Sequence, residues 1–452
     1  MSIWSLAILG AVALAAAQPP LDIWPLAWIA PIPWLLIVRR ERVAGRLLVP
    51  MGSAGLLYWM LVLHWLRLPH PATAIGWVLL SIYLAAYPVL FIVASRRLIH
   101  THRLPLLAAA PPVWIGLEHA RGTLLGGFTM GSLAHTQWRW VEVLQTADLF
   151  GEAGTSGLVV AVAAGITEAL VALWSVHRAA GRRLFQPVIA ASMLVAGILY
   201  GRFRLDEARR LPPVEPLAVM LVQGSIDTQL KQDPNAAADI ARHYDALTVS
   251  GLDAAAKKPD LIVWPETMWR WGLLEIDPRE RLPEDVVQEV IGPDEMGGDI
   301  TRRQEAARTR LEEQRREALA AYARRYGTVW VVGLDRQGLT PDAPSGARSF
   351  NSALFLDAEG RELGRYDKMF PVLFGEYVPL GERLPWLYRL TPLPGGLTTG
   401  QNPVAVRVAE RAIAATICYE TTLPQGIRMM MRDLQAEGRR PDVIVNLTND
   451  GW

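Results

Sequence analysis

The chain has 452 residues, of which 51% are hydrophobic, and its formal net charge is +1. This length is too great for one ordinary domain, so we expect two or more. The near-neutral charge argues against a nucleic-acid-binding protein, because such a protein needs a basic surface to neutralise phosphates. The single cysteine, Cys418, rules out an intramolecular disulfide and a cysteine-cluster metal site. We expect no metal and no other cofactor.

The first part of the chain has the composition of a membrane protein. Residues 1–200 are dominated by Leu, Ala, Val, Ile and Trp, whereas residues 201–452 carry most of the charge. A bilayer core about 30 Å thick needs about 20 apolar residues in a helix. We predict a membrane domain over residues 1–203 with about seven transmembrane helices, near 2–17, 22–38, 50–66, 73–95, 104–118, 155–176 and 185–201. The first span lacks a basic start and a second span follows at once, so we interpret it as an anchor and not as a signal peptide.

Arginine is unevenly distributed over the predicted loops. The loops after spans two, four and six carry Arg39, Arg40, Arg42, Arg46, Arg96, Arg97, Arg103, Arg178, Arg182 and Arg183. The loops after spans one, three and five carry only Arg67, Arg121 and Arg139. Because arginine-rich loops stay in the cytoplasm, we predict a cytoplasmic N-terminus and a polar half on the outer side of the membrane.

The segment between spans five and six is too long for a plain turn. Its Gly-Gly-Phe (126–128), Trp138 and Trp140 predict amphipathic helices at the outer interface, over residues 119–150. Glu118, His64 and His135 are either proton-relay groups or ordinary polar residues at span ends, and the second alternative is favoured. None of the predicted spans has a charge cluster near its middle, which weighs against an ion-driven transporter.

The second half of the chain predicts a layered α/β domain over residues 214–452, starting after Pro212 and Pro213. Short apolar runs that indicate buried strands lie at 217–223, 260–264, 328–333, 352–356, 412–417 and 442–446. Helical patterns lie at 235–256 and 301–326, so strands alternate with helices. We interpret residues 274–310 as an exposed insertion or flap and residues 341–346 as a loop.

Three chemically complementary side chains follow strand-like segments. Glu266 follows the 260–264 run, Lys368 follows a hairpin turn at 357–360, and Cys418 follows the 412–417 run. Ligand chemistry in α/β sheets gathers at the carboxyl ends of strands. A thiol needs a base to become a nucleophile, and an ammonium group can stabilise the oxyanion of a tetrahedral intermediate. Taken singly, each has a structural alternative: a core cysteine, a capping glutamate and a surface lysine.

These residues lie in motifs that resemble a known family. The motifs are Trp-Pro-Glu (264–266), Lys368 with Phe-Gly-Glu-Tyr-Val-Pro (374–379), Ile-Cys-Tyr-Glu (417–420) and Asn-Leu-Thr-Asn-Asp-Gly-Trp (446–452). They are similar to those of the nitrilase, or carbon-nitrogen hydrolase, superfamily, and with a multi-span region before them they resemble the apolipoprotein N-acyltransferases. The resemblance implies an αββα sandwich with Glu266 as base, Lys368 as transition-state stabiliser and Cys418 as nucleophile. It places Glu376, Tyr419 and Glu420 at supporting positions.

The resemblance also implies a two-step reaction in the bacterial inner membrane, with the catalytic domain in the periplasm. A phospholipid would donate an acyl chain to the thiol, and the thioester would acylate the amino group of a diacylglyceryl-cysteine in an apolipoprotein. The alternatives are a membrane-tethered nitrilase-type amidase and an inactive truncated homologue, since the sequence stops inside a motif at Gly451-Trp452. We therefore expect the catalytic domain to lack its last elements and the family's final span.

Overall fold

A computed structural model describes most of the chain in two compact units. The described residues are 1–41, 47–68, 73–174, 185–226, 230, 233–292, 299–343, 345–373, 375–378, 380–381, 383–390 and 395–449. The first unit is Met1–Pro213 and the second is Val214–Trp452. Several predicted features lie outside these residues, namely the loop arginines 42, 46, 178, 182 and 183 and the motif positions 374, 379 and 450–452.

The regular elements in the described residues of the first unit are all helices. Its helices are α1 (Ile3–Ala17), α2 (Ile32–Arg39), α3 (Leu48–Val62), α4 (Thr73–Leu84), α5 (Ala86–His100), α6 (Leu106–Thr123), α7 (Val141–Leu144), α8 (Ala147–Trp174) and α9 (Phe185–Arg210). Short 3-10 helices lie at Trp24–Trp28, His64–Arg67, Leu124–Gly126 and Leu133–Gln137. Each predicted span overlaps at least one α-helix, so the helical character of this part of the chain is confirmed.

Within the described residues, three helical stretches are long and apolar enough to cross a membrane. They are Thr73–His100, Ala147–Trp174 and Phe185–Arg210. Other apolar helices are shorter: α1 has 15 residues and rises about 22 Å at about 1.5 Å per residue, less than a bilayer core of about 30 Å. The number of seven crossings stays a prediction.

A glycine brings α1 close to α2. A Cβ atom added to Gly10 would lie 2.4 Å from the ring of Trp34. Trp34 is only 1% exposed, and its Nε1 donates a hydrogen bond of 3.0 Å to the carbonyl oxygen of Ala7. Because protein interiors are packed without spare room, a larger residue at Gly10 would force the two helices apart.

The prediction of amphipathic helices at the surface over residues 119–150 is wrong for most of this segment. After α6 the chain forms turns, two 3-10 helices and the one-turn helix α7, and Ser132 and Gln137 are fully buried. Gln18 Nε2 donates to the Ser132 carbonyl oxygen at 3.2 Å, and Trp28 Nε1 donates to Gln137 Oε1 at 2.8 Å. The physical reason is backbone conformation: residues 126, 127 and 131 are glycines with positive φ, which a regular helix does not contain.

The polar residues at predicted span ends make local structural contacts. Glu118 Oε1 accepts hydrogen bonds from Trp114 Nε1 at 3.0 Å and from Leu133 N at 3.1 Å. His64 lies 3.0 Å from a backbone carbonyl oxygen three residues earlier, and His135 lies 2.9 Å from a glutamate oxygen. These contacts agree with the structural alternative, in which the three side chains hold span ends and do not relay protons.

The described residues of the second unit form two β-sheets. Its strands are β1 (Val219–Leu221), β2 (Leu261–Val263), β3 (Trp269–Ile276), β4 (Val329–Leu339), β5 (Ala347–Leu356), β6 (Glu362–Asp367), β7 (Ala405–Val408), β8 (Arg411–Ile417) and β9 (Val443–Leu447). The larger sheet has the order β1-β2-β4-β5-β6, with β3 also pairing with β4, and the smaller has the order β7-β8-β9. The helices are α10 (Ala237–Ala254), α11 (Glu284–Ile291), α12 (Ile300–Tyr326) and α13 (Pro424–Ala436).

The two sheets pack face to face between helices. One apolar cluster joins residues of the larger sheet, such as Val331 and Phe355, to Ile413 and Ile417 of the smaller sheet. A second cluster packs α10 and α12 on the outer face of the larger sheet, and a third packs Met430 and the rest of α13 on the smaller sheet. The resulting αββα order of layers confirms the predicted fold class.

The interpretation of residues 274–310 as an exposed flap is only partly right. In the described part of this segment, the end of β3, helix α11 and the start of α12 form regular structure. Ile276, Val287, Ile291 and Ala307 are all less than 10% exposed and form a small apolar cluster of their own. The acidic and basic residues that suggested exposure lie on the outer faces of these helices, whereas the apolar residues between them face inward.

Candidate active site

The three predicted catalytic side chains all follow strand ends. Glu266 comes three residues after β2, Lys368 comes directly after β6, and Cys418 comes directly after β8. Strand β6 is antiparallel to β5, which is antiparallel to β4, so β6 runs in the same direction as β2. Glu266 and Lys368 therefore lie at the same end of the larger sheet, beyond the carboxyl ends of β2 and β6.

Lys368 is the centre of this group. Its side chain is 1% exposed, and Nζ donates to Glu376 Oε1 at 2.6 Å and lies 3.7 Å from Glu266 Oε1. Burial alone would lower the pKa of Lys368, but the neighbouring carboxylates of Glu376 and Glu266 outweigh burial and raise that pKa above its ordinary value. The ammonium therefore keeps its proton and its charge. Glu376 Oε2 also accepts from the backbone N–H of Val372 at 2.7 Å, which holds the carboxylate in place.

Glu266 is held by an asparagine that sequence reasoning missed. Glu266 is 6% exposed, and its Oε1 accepts from Asn351 Nδ2 at 2.6 Å. The backbone N–H of Asn449 approaches Oε2 at 3.4 Å. The backbone carbonyl oxygen of Asn351 accepts a hydrogen bond of 2.8 Å from the backbone N–H of Lys368. Asn351 thus holds both the carboxylate and the start of the lysine segment. The feature of the sequence that could have identified Asn351 is its polar side chain just before the apolar run 352–356.

Cys418 sits on a sharp turn between β8 and a short 3-10 helix, Cys418–Thr422. Its φ of 56° is in the left-handed region that residues other than glycine rarely occupy. The carbonyl oxygen of Cys418 accepts from Asn446 Nδ2 at 3.1 Å, which stabilises this turn from the neighbouring strand β9. The side chain is half-buried and is the only free thiol of the chain.

The thiol is protonated when no substrate is bound. Burial, followed by the charge of Glu266, raises the pKa of Cys418 to about 11, although the nearby Lys368 acts in the opposite direction. At neutral pH the sulfur therefore needs a base when it attacks. The electrostatic influence of Glu266 and Lys368 on this thiol means that the structure brings all three predicted residues together.

Glu420 joins the two strand ends. It is 2% exposed, and its Oε1 accepts from Tyr366 Oη at 2.8 Å, Met369 N at 2.7 Å and Phe370 N at 3.0 Å. Its Oε2 accepts from Ile417 N at 2.7 Å. One carboxylate thus binds the segment after β6 and the residue before the cysteine, which sets the distance between them.

Tyr419, the remaining predicted supporting residue, is half-buried beside the thiol. Burial, followed by the neighbouring Tyr377, raises the pKa of Tyr419 well above its ordinary value. Tyr419 therefore stays a neutral phenol at physiological pH. Its position next to Cys418 makes its backbone N–H a candidate oxyanion donor, since the donor must lie beside the nucleophile.

A buried ion-pair network supports the lysine from the other side. Arg336 is 7% exposed and donates to Asp367 Oδ2 at 2.6 Å and to Glu275 Oε2 at 2.7 Å. Ser352 Oγ donates to Asp367 Oδ1 at 2.5 Å. Because Asp367 directly precedes Lys368, the network fixes the backbone from which the lysine side chain projects. Sequence reasoning missed this network, whose members are far apart in the chain.

Metal-ligating side chains do not cluster at the described part of the site. Across the described ranges, no group of three His, Cys, Asp or Glu side chains is placed to hold a metal ion. The chemistry available here is that of a thiol, two carboxylates and an ammonium group. This combination suits transfer of an acyl group through a covalent intermediate.

Family models match both units of the chain. The model described as the apolipoprotein N-acyltransferase N-terminal domain matches residues 10–165, and the model described as carbon-nitrogen hydrolase matches residues 219–437. Among solved structures, an amidase from Nesterenkonia sp. is 18% identical and covers 52% of this chain and 67% of its own, with a TM-score of 0.28. That likeness is too low to carry an argument.

Relatives that match nearly the full chain share one name. An apolipoprotein N-acyltransferase of Geobacter metallireducens is 30% identical over 459 residues, which are 99% of this chain and 77% of that protein. An apolipoprotein N-acyltransferase of Rhodopirellula baltica is 29% identical over 463 residues, which are 98% of this chain and 80% of that protein. With this identity over almost its whole length, and with both family models in the expected order, the chain belongs to the apolipoprotein N-acyltransferase family.

Proposed function

We propose that this protein transfers a fatty acyl chain from a phospholipid to the N-terminal amino group of diacylglyceryl-cysteine in apolipoproteins. The observation that carries the proposal is the buried ammonium of Lys368, which lies between the carboxylates of Glu376 and Glu266 and acts electrostatically on the Cys418 thiol. The names of the relatives support the acceptor, and the apolar helices of the first unit support a lipid donor.

The first half-reaction acylates the thiol. Glu266 takes the proton of Cys418 as the sulfur attacks an ester carbonyl carbon of the phospholipid, forming a C–S bond. The carbonyl oxygen becomes an oxyanion, which the Lys368 ammonium and the backbone N–H of Tyr419 stabilise. When the ester C–O bond breaks, Glu266 returns the proton to the leaving oxygen. The products are a thioester and a lysophospholipid.

The second half-reaction releases the acyl chain. The amino group of diacylglyceryl-cysteine attacks the thioester carbonyl carbon, and Glu266 takes a proton from the attacking nitrogen. The C–N bond forms, the C–S bond breaks, and the proton passes to the sulfur of Cys418. Glu376 and Glu420 act through position, because Glu376 holds the ammonium and Glu420 fixes the cysteine turn.

We further propose that the chain crosses the bacterial inner membrane several times, with a cytoplasmic N-terminus and the second unit in the periplasm. The arginine-rich loops after predicted spans two, four and six support this orientation. This orientation puts the second unit on the side of the outer leaflet, whose phospholipids are the proposed donors. A soluble amidase of small substrates would have no need for such a membrane domain.

The test is the intact mass of the purified chain after incubation with phospholipid. We expect a fatty-acyl mass increment that hydroxylamine removes, and its absence in Cys418→Ala. Glu266→Gln is expected to reduce the increment strongly while leaving the protein folded. Transfer of the increment to a diacylglyceryl peptide with a free amino terminus then tests the second half-reaction. A folded wild-type chain that never gains an acyl group would refute the proposal.

A further inference from the structure

The peptide unit that follows Cys418 is held by a side chain from the neighbouring strand. The carbonyl oxygen of Cys418 accepts from Asn446 Nδ2 at 3.1 Å, and Thr421 Oγ1 approaches the same oxygen at the longer distance of 3.4 Å. Asn446 lies on β9, which runs parallel to β8. The shorter bond therefore ties the turn at the nucleophile to the smaller sheet, whereas the longer one stays within the 3-10 helix.

The side chain of Asn446 is itself fixed by a second hydrogen bond. Asn446 is paired with Thr416 in the parallel register, and Thr416 Oγ1 donates to Asn446 Oδ1 at 3.1 Å. Thr416 is 2% exposed and lies two residues before the cysteine. Because a carbonyl oxygen can only accept, the amide nitrogen is the atom that faces Cys418. Both ends of the Asn446 amide thus have a partner, and the amide has one orientation.

This contact controls more than the position of the thiol. A peptide unit is planar and almost always trans, so the carbonyl oxygen of Cys418 and the N–H of Tyr419 point in opposite directions from one rigid plane. A side chain that holds the oxygen therefore also sets the direction of the N–H. In the reaction proposed above this N–H stabilises the oxyanion, and such a donor is effective only when it is aimed at the atom where the charge develops.

The conformation of Cys418 makes this control necessary. Its φ of 56° is unfavourable for a residue with a Cβ atom, so the turn needs contacts from outside to keep its shape. Glu420 Oε2 holds the backbone N–H of Ile417 and thus acts on the chain before the cysteine. The contact with Asn446 acts on the peptide unit after the cysteine.

We propose that Asn446 is a positioning residue that directs the backbone N–H of Tyr419 at the oxyanion of the acyl-transfer reaction. It acts through the carbonyl oxygen of Cys418 and is not itself a catalytic residue. The inference rests on the proposed function, in which this N–H is an oxyanion donor. Asn446 is exposed, so water can partly replace its amide. We therefore expect a smaller loss than the roughly hundred- to thousandfold loss that follows removal of an oxyanion donor itself.

The test compares two reagents that modify the same thiol. With p-nitrophenyl butyrate, the sulfur of Cys418 forms a C–S bond through a tetrahedral oxyanion, the ester C–O bond breaks, p-nitrophenolate leaves, and the thiol proton passes to Glu266. With iodoacetamide, the sulfur displaces iodide from a saturated carbon, so no oxyanion forms. Both reactions need the thiolate, whereas only the first needs the N–H of Tyr419. Single-turnover rates of both are measured on the purified chain, from nitrophenolate absorbance and from intact mass.

Matched substitutions separate orientation of the N–H from support of the thiol. Asn446→Leu removes the donor to the Cys418 carbonyl oxygen and should slow acylation about five- to tenfold, the effect of one hydrogen bond, while alkylation changes by less than about twofold. Thr416→Val removes the donor that orients the Asn446 amide and should slow acylation about two- to fourfold, again with little change in alkylation. Asn402→Leu, at another exposed asparagine of the second unit, should leave both rates unchanged.

Equal slowing of acylation and alkylation in Asn446→Leu would show that Asn446 only supports the thiol and would overturn the proposal. Acylation within about twofold of wild type would overturn it as well. The result is separable from the proposed function, because the ester takes the place of the phospholipid. Selective loss of acylation in Asn446→Leu, on a wild-type thiol that phospholipid does not acylate, would refute only the phospholipid donor. Acylation of the wild type by phospholipid, with no selective loss in Asn446→Leu, would refute only the role of Asn446.

Discussion

The ionisation of Cys418 provides a quantitative test of the site, because alkylation of the only cysteine reports this thiol alone. Burial and the charge of Glu266 raise its pKa from the ordinary 9.0 to about 11. A shift of about two pH units leaves about a hundredfold less thiolate at pH 8. The more basic thiolate is about tenfold more nucleophilic, given a Brønsted coefficient of about 0.4–0.5. We therefore expect iodoacetamide to react about tenfold more slowly than with an unperturbed thiol.

The pH dependence gives a sharper result than the absolute rate. The logarithm of the alkylation rate should rise with unit slope from about pH 7 to about pH 10, without a plateau. Glu266→Gln removes a negative charge that raises the pKa, so its inflection should move to lower pH and its alkylation at neutral pH should be faster. Acyl transfer should nevertheless be lost, since the base is gone. Lys368→Met removes the charge that lowers the pKa and should move the inflection to higher pH.

The assay is the pH profile of alkylation, followed by intact mass, for wild type and each variant. Glu410→Gln is the matched control, because Glu410 is 94% exposed, and its profile should equal that of wild type. A plateau below pH 9 in the wild type would show that the thiolate is stabilised by Lys368 and would refute the reasoning. Slower alkylation of Glu266→Gln at neutral pH would refute it as well.

Three further substitutions test the packing of the site and of the first unit. Glu420→Gln replaces an oxygen that accepts hydrogen bonds by a donor, so it should reduce the free energy of unfolding by about 1–3 kcal/mol. Thermal unfolding in detergent measures this change, and an unchanged midpoint would contradict it. Asn351→Leu removes the hydrogen-bond donor to Glu266 and should slow thioester formation about ten- to hundredfold. Intact mass measures the rate, and a rate within about twofold of wild type would count against this role of Asn351. Gly10→Ala places a methyl group 2.4 Å from an indole ring and should lower the unfolding midpoint, whereas Gly52→Ala meets nothing within 4 Å and should not. Equal midpoints for the two glycine variants would show that this close contact does not limit stability.

The positions of Glu266, Lys368 and Cys418 at strand ends were predictable because apolar runs mark buried strands in consecutive residues. The structure confirms that each follows a strand and that Lys368 Nζ lies 3.7 Å from Glu266 Oε1. Their catalytic roles remain the proposal made above. The sequence could not specify that Glu376 is the closer partner of the ammonium, at 2.6 Å, because this depends on how the segment after β6 folds back.

Several elements of the second unit were missed for identifiable reasons. Strand β6 (Glu362–Asp367) is mostly polar, and β7 (Ala405–Val408) is short, so neither has the apolar run expected of a buried strand. Both form because a neighbouring strand supplies hydrogen bonds, which is a tertiary effect. Helix α13 (Pro424–Ala436) did carry a signal, since Met430 and Leu434 are four residues apart and face the smaller sheet.

The sequence by itself determined the helical character of the first unit, the layered α/β class of the second and the residues that follow its strand ends. These properties depend on the pattern of apolar, charged and turn-forming residues over short stretches. Only the tertiary structure decided that Asn351 holds Glu266, that residues 124–137 fold into the first unit, and that burial and Glu266 raise the pKa of Cys418. Each of these results depends on distances between side chains that are far apart in the chain. Such distances are set by strand register and by packing of layers, which no local pattern specifies.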